Sequence, residues 1–100
     1  YLGLQYDKVG ADGARALADA LQHNSTLTTL DLQNNNNIGD DGARGLADAL
    51  KHNSTLTTLD IRGTNVGNDG AGALADTLKH NSTLTTLYLQ SLSTYPTQRL

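Results

Sequence analysis

Histidine is the residue type in this chain best suited to bind a metal, and its spacing is regular. His23, His52 and His80 each open the octapeptide His-Asn-Ser-Thr-Leu-Thr-Thr-Leu, at intervals of 29 and 28 residues. Zinc needs its ligands about 2 Å from the metal, whereas equivalent residues on neighbouring packed helices lie roughly 10 Å apart. The spacing therefore predicts no metal site. It favours histidines that lie near helix C-termini, where the helix dipole favours a positive charge.

Carboxylates recur with the same period at Asp19, Asp48 and Asp76. A repeat of this length places them in a row, so they do not converge on one site. The chain has no cysteine, and no phosphate-binding loop or activated nucleophile accompanies the acids. We therefore expect a protein that is not an enzyme and that needs no cofactor.

Charge and composition narrow the classes of partner. The chain has 100 residues and a formal net charge of −3, with 7 Lys and Arg against 10 Asp and Glu. It has no basic block that would attract nucleic acid or anionic lipid. No apolar run approaches the roughly 20 residues that a membrane-spanning helix needs. The absence of cysteine favours a cytoplasmic location, and the opening at Tyr1 indicates a piece of a longer protein.

The elements that carry these residues follow from two hydrophobic periods within each repeat. Alternation in Leu27–Leu32 predicts a half-buried strand. Ala43, Leu46, Ala47 and Leu50 are spaced i, i+3, i+4 and i+7, which predicts an amphipathic helix. A period of 20 to 50 residues indicates a solenoid. The shared frame defines one repeat domain over residues 1–100, with repeats 2–29, 30–58, 59–86 and a partial, divergent repeat 87–100.

The helix ends carry further signals. We expect Asp40 and Asn68 to be N-caps. Asn24, Asn53 and Asn81 follow the helices, where asparagine often adopts the left-handed conformation that ends a helix. They also begin Asn-Ser-Thr glycosylation sequons. Because the sequence shows no secretory signal, we interpret them as helix stops.

Parallel strands joined by helical crossovers predict an α/β fold, a right-handed solenoid shaped like a horseshoe. Strands lie about 4.8 Å apart and packed helices roughly 8–10 Å apart. The helical layer must therefore be longer than the sheet. We expect a concave parallel sheet and convex helices.

The segment from Leu27 through Asn35 to Ile38 resembles the leucine-rich-repeat signature Leu-x-x-Leu-x-Leu-x-x-Asn-x-Leu, one residue longer. The helical half from Gly39 resembles the ribonuclease-inhibitor-like subtype, and the whole resembles the repeat domain of NOD-like receptors. The signature asparagine, which satisfies backbone groups in the turn, is Asn35 here; Asp7 and Thr64 replace it in neighbouring repeats. The resemblance implies a protein–protein interaction scaffold within a larger intracellular protein.

Outward positions of the strands, and the loop after them, vary more than the core positions. Asn34, for example, is replaced by Gly63 and Tyr6. Such variation is what a recognition surface would show, because repeat solenoids bind partners on their concave faces. Drift at exposed positions is the alternative explanation.

The varied positions predict a protein-binding patch on the concave face. Tyrosine and arginine often anchor interfaces, and we expect Asp60 to hold the guanidinium of Arg62. The predicted patch consists of Asp31, Gln33, Asp60, Arg62, Tyr88 and Gln90.

Other functions use the same scaffold. Ran-type GTPase activators combine this repeat subtype with a polar rim residue, and Asn34–Asn37 contains a one-residue insertion at the corresponding turn. A host-directed microbial effector would also use it. Exposed strand edges at both ends predict end-to-end self-association, unless the tail after Leu89 forms a cap.

Overall fold

A computed structural model describes residues 1–89 as strands and helices in strict alternation. The four strands form one parallel sheet in the order β1-β2-β3-β4. This arrangement confirms the predicted α/β leucine-rich-repeat solenoid. The elements are β1 (Leu2–Gly3), α1 (Ala11–His23), β2 (Thr29–Asp31), α2 (Gly39–Leu50), β3 (Thr58–Asp60), α3 (Asn68–Leu78) and β4 (Thr86–Tyr88).

Each repeat, one strand and the helix that follows it, forms one coil of the solenoid. Leucines from successive coils lie in a single column beneath the sheet. Leu30 pairs with Leu2 on one side and with Leu59 on the other, and Leu59 pairs with Leu87. Leu30 and Leu59 are at most 1% exposed. A slip of one residue would turn such a leucine to the opposite face, so burial of the column sets the register.

Neighbouring coils complete each other's core. Helix α2 packs between α1 and α3 and buries six residues, whereas each outer helix buries three. This difference is expected of a solenoid, in which each repeat contacts only its neighbours.

The asparagines that follow the helices do not adopt the predicted conformation. The backbone of Asn24 is extended, with φ −94° and ψ 131°, and neither Asn53 nor Asn81 has a positive φ. The prediction of left-handed helix stops is therefore wrong. The side chains of Asn53 and Asn81 bridge coils instead: Nδ2 of Asn53 donates to the carbonyl oxygens of Leu21 and Asn24, at 2.9 and 3.2 Å.

The same side chains also close their own turns. Oδ1 of Asn53 accepts hydrogen bonds from two backbone N–H groups, those of Thr55 and Leu56. Asn81 repeats both sets of contacts one coil later. Because Asn53 is only 5% exposed and its amide nitrogen is engaged, a glycan at this sequon is incompatible with the folded coil.

The predicted N-caps also require correction. Asn68 is the first residue of α3, and no side chain of the residue preceding α2 or α3 caps its own helix. Asp40 lies inside α2, and its Oδ1 accepts from the N–H groups of Gly67 and Gly70, at 2.7 and 3.0 Å. Asp40 therefore caps the following helix rather than its own.

The third residue after each of the strands β1, β2 and β3 has a left-handed backbone. Tyr6, Asn34 and Gly63 occupy this place in successive coils, with φ of 60°, 63° and 69°. Glycine adopts this conformation without cost and asparagine more readily than most residues, whereas tyrosine is strained by it. Backbone geometry, and not partner recognition alone, therefore limits which residues occur here.

Candidate protein-binding site on the concave face

The register of the sheet places four residues side by side on its concave face, the side away from the helices. Gly3 pairs with Asp31, Asp31 with Asp60, and Asp60 with Tyr88. Side chains alternate along a strand, so these residues point away from the buried leucines. The row crosses all four strands and contains three residues of the predicted patch.

Arg62 is held firmly at one end of this row. Its Nε donates to Oδ1 of Asp60 at 3.0 Å, and its Nη2 donates to Oδ2 at 2.6 Å. The guanidinium carbon lies 4.6 Å from the centre of the Tyr88 ring, a cation–π distance. The prediction that Asp60 holds Arg62 is confirmed.

The contacts of Arg62 also fix its charge. Its hydrogen bond to Asp60 raises the pKa of the guanidinium above the ordinary value, against a smaller lowering by burial. A group with a raised pKa keeps its proton until the pH exceeds that value. Arg62 therefore stays charged at every pH at which the protein would be studied.

Asp31 has a different set of partners at the other end of the row. Its Oδ2 accepts from Nε2 of Gln5 at 2.7 Å and from the hydroxyl of Tyr1 at 3.3 Å. Its Oδ1 accepts from the backbone N–H of Gln33 at 3.1 Å, and the Gln33 side chain adds longer contacts. All of these donors are neutral.

The predicted patch separates into contact residues and residues beneath them. Asp31 and Asp60 are 8% and 5% exposed, so they position their neighbours and offer little contact area. Gln33, Arg62 and Tyr88 are partly exposed and form the accessible surface. The sixth residue, Gln90, lies outside the described residues.

Sequence reasoning missed two residues of this surface, Tyr1 and Gln5. In the repeat frame Tyr1 matches Thr29 and Gln5 matches Gln33, so both positions face outward. The repeat alignment could have placed both residues in the predicted patch, although the first strand is incomplete in that frame.

The insertion predicted at the turn after β2 lies on a rim beside the sheet. Asn36 and Asn37 are exposed, and with Tyr6 and Lys8 they line part of a groove of about 330 Å³. Among residues 1–89, no group of His, Asp or Glu side chains is arranged to hold a metal ion. Within the same range, no helix combines the length and apolar composition that crossing a membrane requires.

Comparison with known proteins agrees with this architecture. A family model described as "Leucine Rich repeat" matches residues 23–47 and 52–75. A solved structure described as "Leiomodin-1 Actin-Binding Site 2 (ABS2)" superposes with a TM-score of 0.84 at 25% sequence identity. The match covers 90% of this chain and 52% of the leiomodin chain, so this chain spans about half the length of that structure. No curated protein sequence matches the chain.

The two matches to the family model and the shared fold show that residues 23–47 and 52–75 resemble leucine-rich repeats and that the described chain has the leucine-rich-repeat fold.

Proposed function

We propose that this protein is an interaction scaffold that binds a partner protein on its concave face, through Arg62, Tyr88 and Gln33. The observation that carries the proposal is the fixed position of Arg62, which forms bidentate hydrogen bonds with Asp60 and stacks on Tyr88. Side chains that are already ordered lose little conformational entropy when a partner binds. Arginine and tyrosine are also the types that most often dominate binding energy.

The proposal extends to the setting of the domain. The sequence resemblance to NOD-like receptors supports a larger intracellular, cytoplasmic protein in which these coils form the recognition module. The net charge of −3 supports a protein partner over nucleic acid or a membrane surface.

The test compares the full-length protein with a concave variant that combines Arg62→Glu and Tyr88→Ala. Partners are captured by proximity labelling in cells and quantified against the wild type. We expect at least about a tenfold loss of specific partners, because hot-spot residues each contribute about 2 kcal/mol or more. Arg44→Glu is the matched control, since it makes the same charge reversal on the exposed side of α2. The proposal would be contradicted if partner proteins were still labelled by the concave variant but were lost with the Arg44→Glu variant.

Actin is the first named partner to test, because the matched leiomodin structure is described as an actin-binding site. Co-sedimentation with filamentous actin, and gel filtration with monomeric actin, would measure binding by the wild type and the concave variant. Binding that the concave variant abolishes would identify actin as the partner. If the wild type does not bind actin, actin is rejected as the partner, and the scaffold proposal is decided by the proximity-labelling experiment.

A further inference from the structure

The two ends of the concave row contain the same two chemical groups, but only one end contains an arginine. At one end, the carboxylate of Asp60 and the ring of Tyr88 enclose the guanidinium of Arg62. At the other end, a carboxylate and an aromatic ring also lie together, those of Asp31 and Tyr1. In the repeat frame, the residue that corresponds to Arg62 lies two positions after β2 and is Gln33, which is neutral.

The ring of Tyr1 lies over the sheet beside Asp31. A Cβ added to Gly3 would come within 2.7 Å of Cε1 of Tyr1, so the ring covers the place where the side chain of residue 3 would stand. Its hydroxyl reaches the Asp31 carboxylate, and the residue is 74% exposed. Within residues 1–89, much of the side chain is therefore accessible from the concave side.

Within residues 1–89, the carboxylate of Asp31 is only weakly compensated by Arg62, whose attraction to Asp31 is the last of the contributions that raise the pKa of its guanidinium. Asp31 forms no ion pair within residues 1–89, and its donors are the neutral groups of Gln5, Gln33 and Tyr1. Arg62 is committed to Asp60. The outward positions of the four strands therefore carry two carboxylates against one guanidinium.

We propose that Asp31 and Tyr1 bind the guanidinium of an arginine side chain that the partner protein supplies. The amide of Gln5 moves aside, and the guanidinium forms bidentate hydrogen bonds with Asp31. Its planar face stacks on the ring of Tyr1, as Arg62 stacks on Tyr88. Charge-assisted forked hydrogen bonds are stronger than those from neutral amides, which favours the exchange. Arginine fits better than lysine because only a guanidinium both forks and stacks.

This inference deepens the proposed function and depends on it for the source of the arginine. Its test uses blocked pentapeptides Gly-Gly-X-Gly-Gly, in which X is arginine, lysine or citrulline, the neutral isostere of arginine. Binding to the chain is followed by NMR chemical-shift changes. We expect the arginine peptide to shift the amide signals of Gln5, Asp31 and Gln33, the lysine peptide to bind more weakly, and the citrulline peptide to leave the spectrum unchanged.

Three variants sharpen this test. Asp31→Asn should weaken binding of the arginine peptide by about tenfold or more. Asp19→Asn removes an exposed helical carboxylate and should not change the binding. Gln33→Arg places a guanidinium where Arg62 stands one coil later. It should block binding of the peptide and raise the Tm, because the introduced guanidinium pairs with the Asp31 carboxylate.

The possible failures are distinguishable. Equal binding of the arginine and citrulline peptides, or binding that persists in Asp31→Asn, would overturn the arginine site. Tyr88→Ala alone tests the scaffold separately, because Tyr88 forms no hydrogen bond with Asp31 within residues 1–89, whereas Arg62 attracts the Asp31 carboxylate electrostatically. Partner loss in that variant without peptide binding would keep the scaffold and reject the arginine site.

Discussion

The two edges of the sheet use different residues to close their turns. At the helix-exit edge, where each helix leads into a strand, every coil has the same residue: Asn24, Asn53 and Asn81. At the strand-exit edge, where each strand leads into a helix, Asn35 is flanked by Asp7 and Thr64 in neighbouring coils. One edge is uniform and the other is varied, although both must satisfy backbone groups in a turn.

The hydrogen bonds explain the difference. Nδ2 of Asn35 donates to the carbonyls of Leu4 and Leu32, and its Oδ1 accepts from the N–H groups of Asp7 and Val9. Thr64 makes one side-chain bond, to the carbonyl oxygen of Ile61 in its own coil. Among residues 1–89, the repeated turn residue joins successive coils through its side chain at both Asn53 and Asn81 on the helix-exit edge, but only at Asn35 on the strand-exit edge. Variation is therefore concentrated where fewer bonds between coils depend on the residue.

The largest effect should come from Asn53→Ala. The change leaves two carbonyls and two N–H groups without their partner in a buried turn, and each such group costs about 1–3 kcal/mol. We expect a loss of about 3 kcal/mol or more in the free energy of unfolding, measured by urea denaturation. Asn24→Ala is the control, since only its oxygen has a described partner, and it should cost about 1 kcal/mol. Equal losses would contradict the bridging role.

A smaller effect is expected at the varied edge from Asn35→Thr. Threonine at the equivalent position, Thr64, keeps one backbone bond, so the variant should lose the contacts to the preceding coil and cost about 2 kcal/mol. Thr64→Ser keeps the hydroxyl and serves as the control. If Asn35→Thr were as stable as the wild type, the hydrogen bonds of the Asn35 side chain to the preceding coil would not contribute to stability.

The smallest effect, a gain in stability, is expected from Tyr6→Asn. Tyr6 holds a positive φ and is 76% exposed, so the change relieves backbone strain without removing buried contacts. We expect a stabilisation of about 0.5–1 kcal/mol, visible as a higher Tm. The reciprocal change Asn34→Tyr should destabilise the chain. A loss of stability in Tyr6→Asn would show that the tyrosine ring makes a compensating contact.

The fold could be predicted almost completely from the sequence. Alternating leucines gave the strands, apolar positions at helical spacing gave the helices, and the period gave the parallel order. The errors were at the helix ends. Local preference indicates a left-handed stop at Asn53, but the contact that decides its conformation joins it to Leu21, 32 residues earlier. The cap provided by Asp40 reaches forward by about the same distance.

The candidate site could be predicted in part. Repeat alignment places Asp31, Asp60 and Tyr88 in one row, and the short separation of Asp60 and Arg62 on one face indicates their pairing. Burial could not be read from the alignment, because outward positions are normally exposed. The carboxylates are covered by longer neighbours on the same face, such as Gln5 and Gln33.

The strands β2 and β3 have the same sequence, Thr-Leu-Asp, and this identity has a consequence for refolding. Because the two strands are identical, their residues do not determine which of them pairs with a given adjacent strand. The correct strand order therefore depends on the segments that connect the strands. When two unfolded molecules meet, a coil of one molecule can take the place of its twin in the other. Exchange between molecules is a known hazard of repeat proteins, and near-perfect internal duplication makes the chain prone to entangle with itself at high concentration.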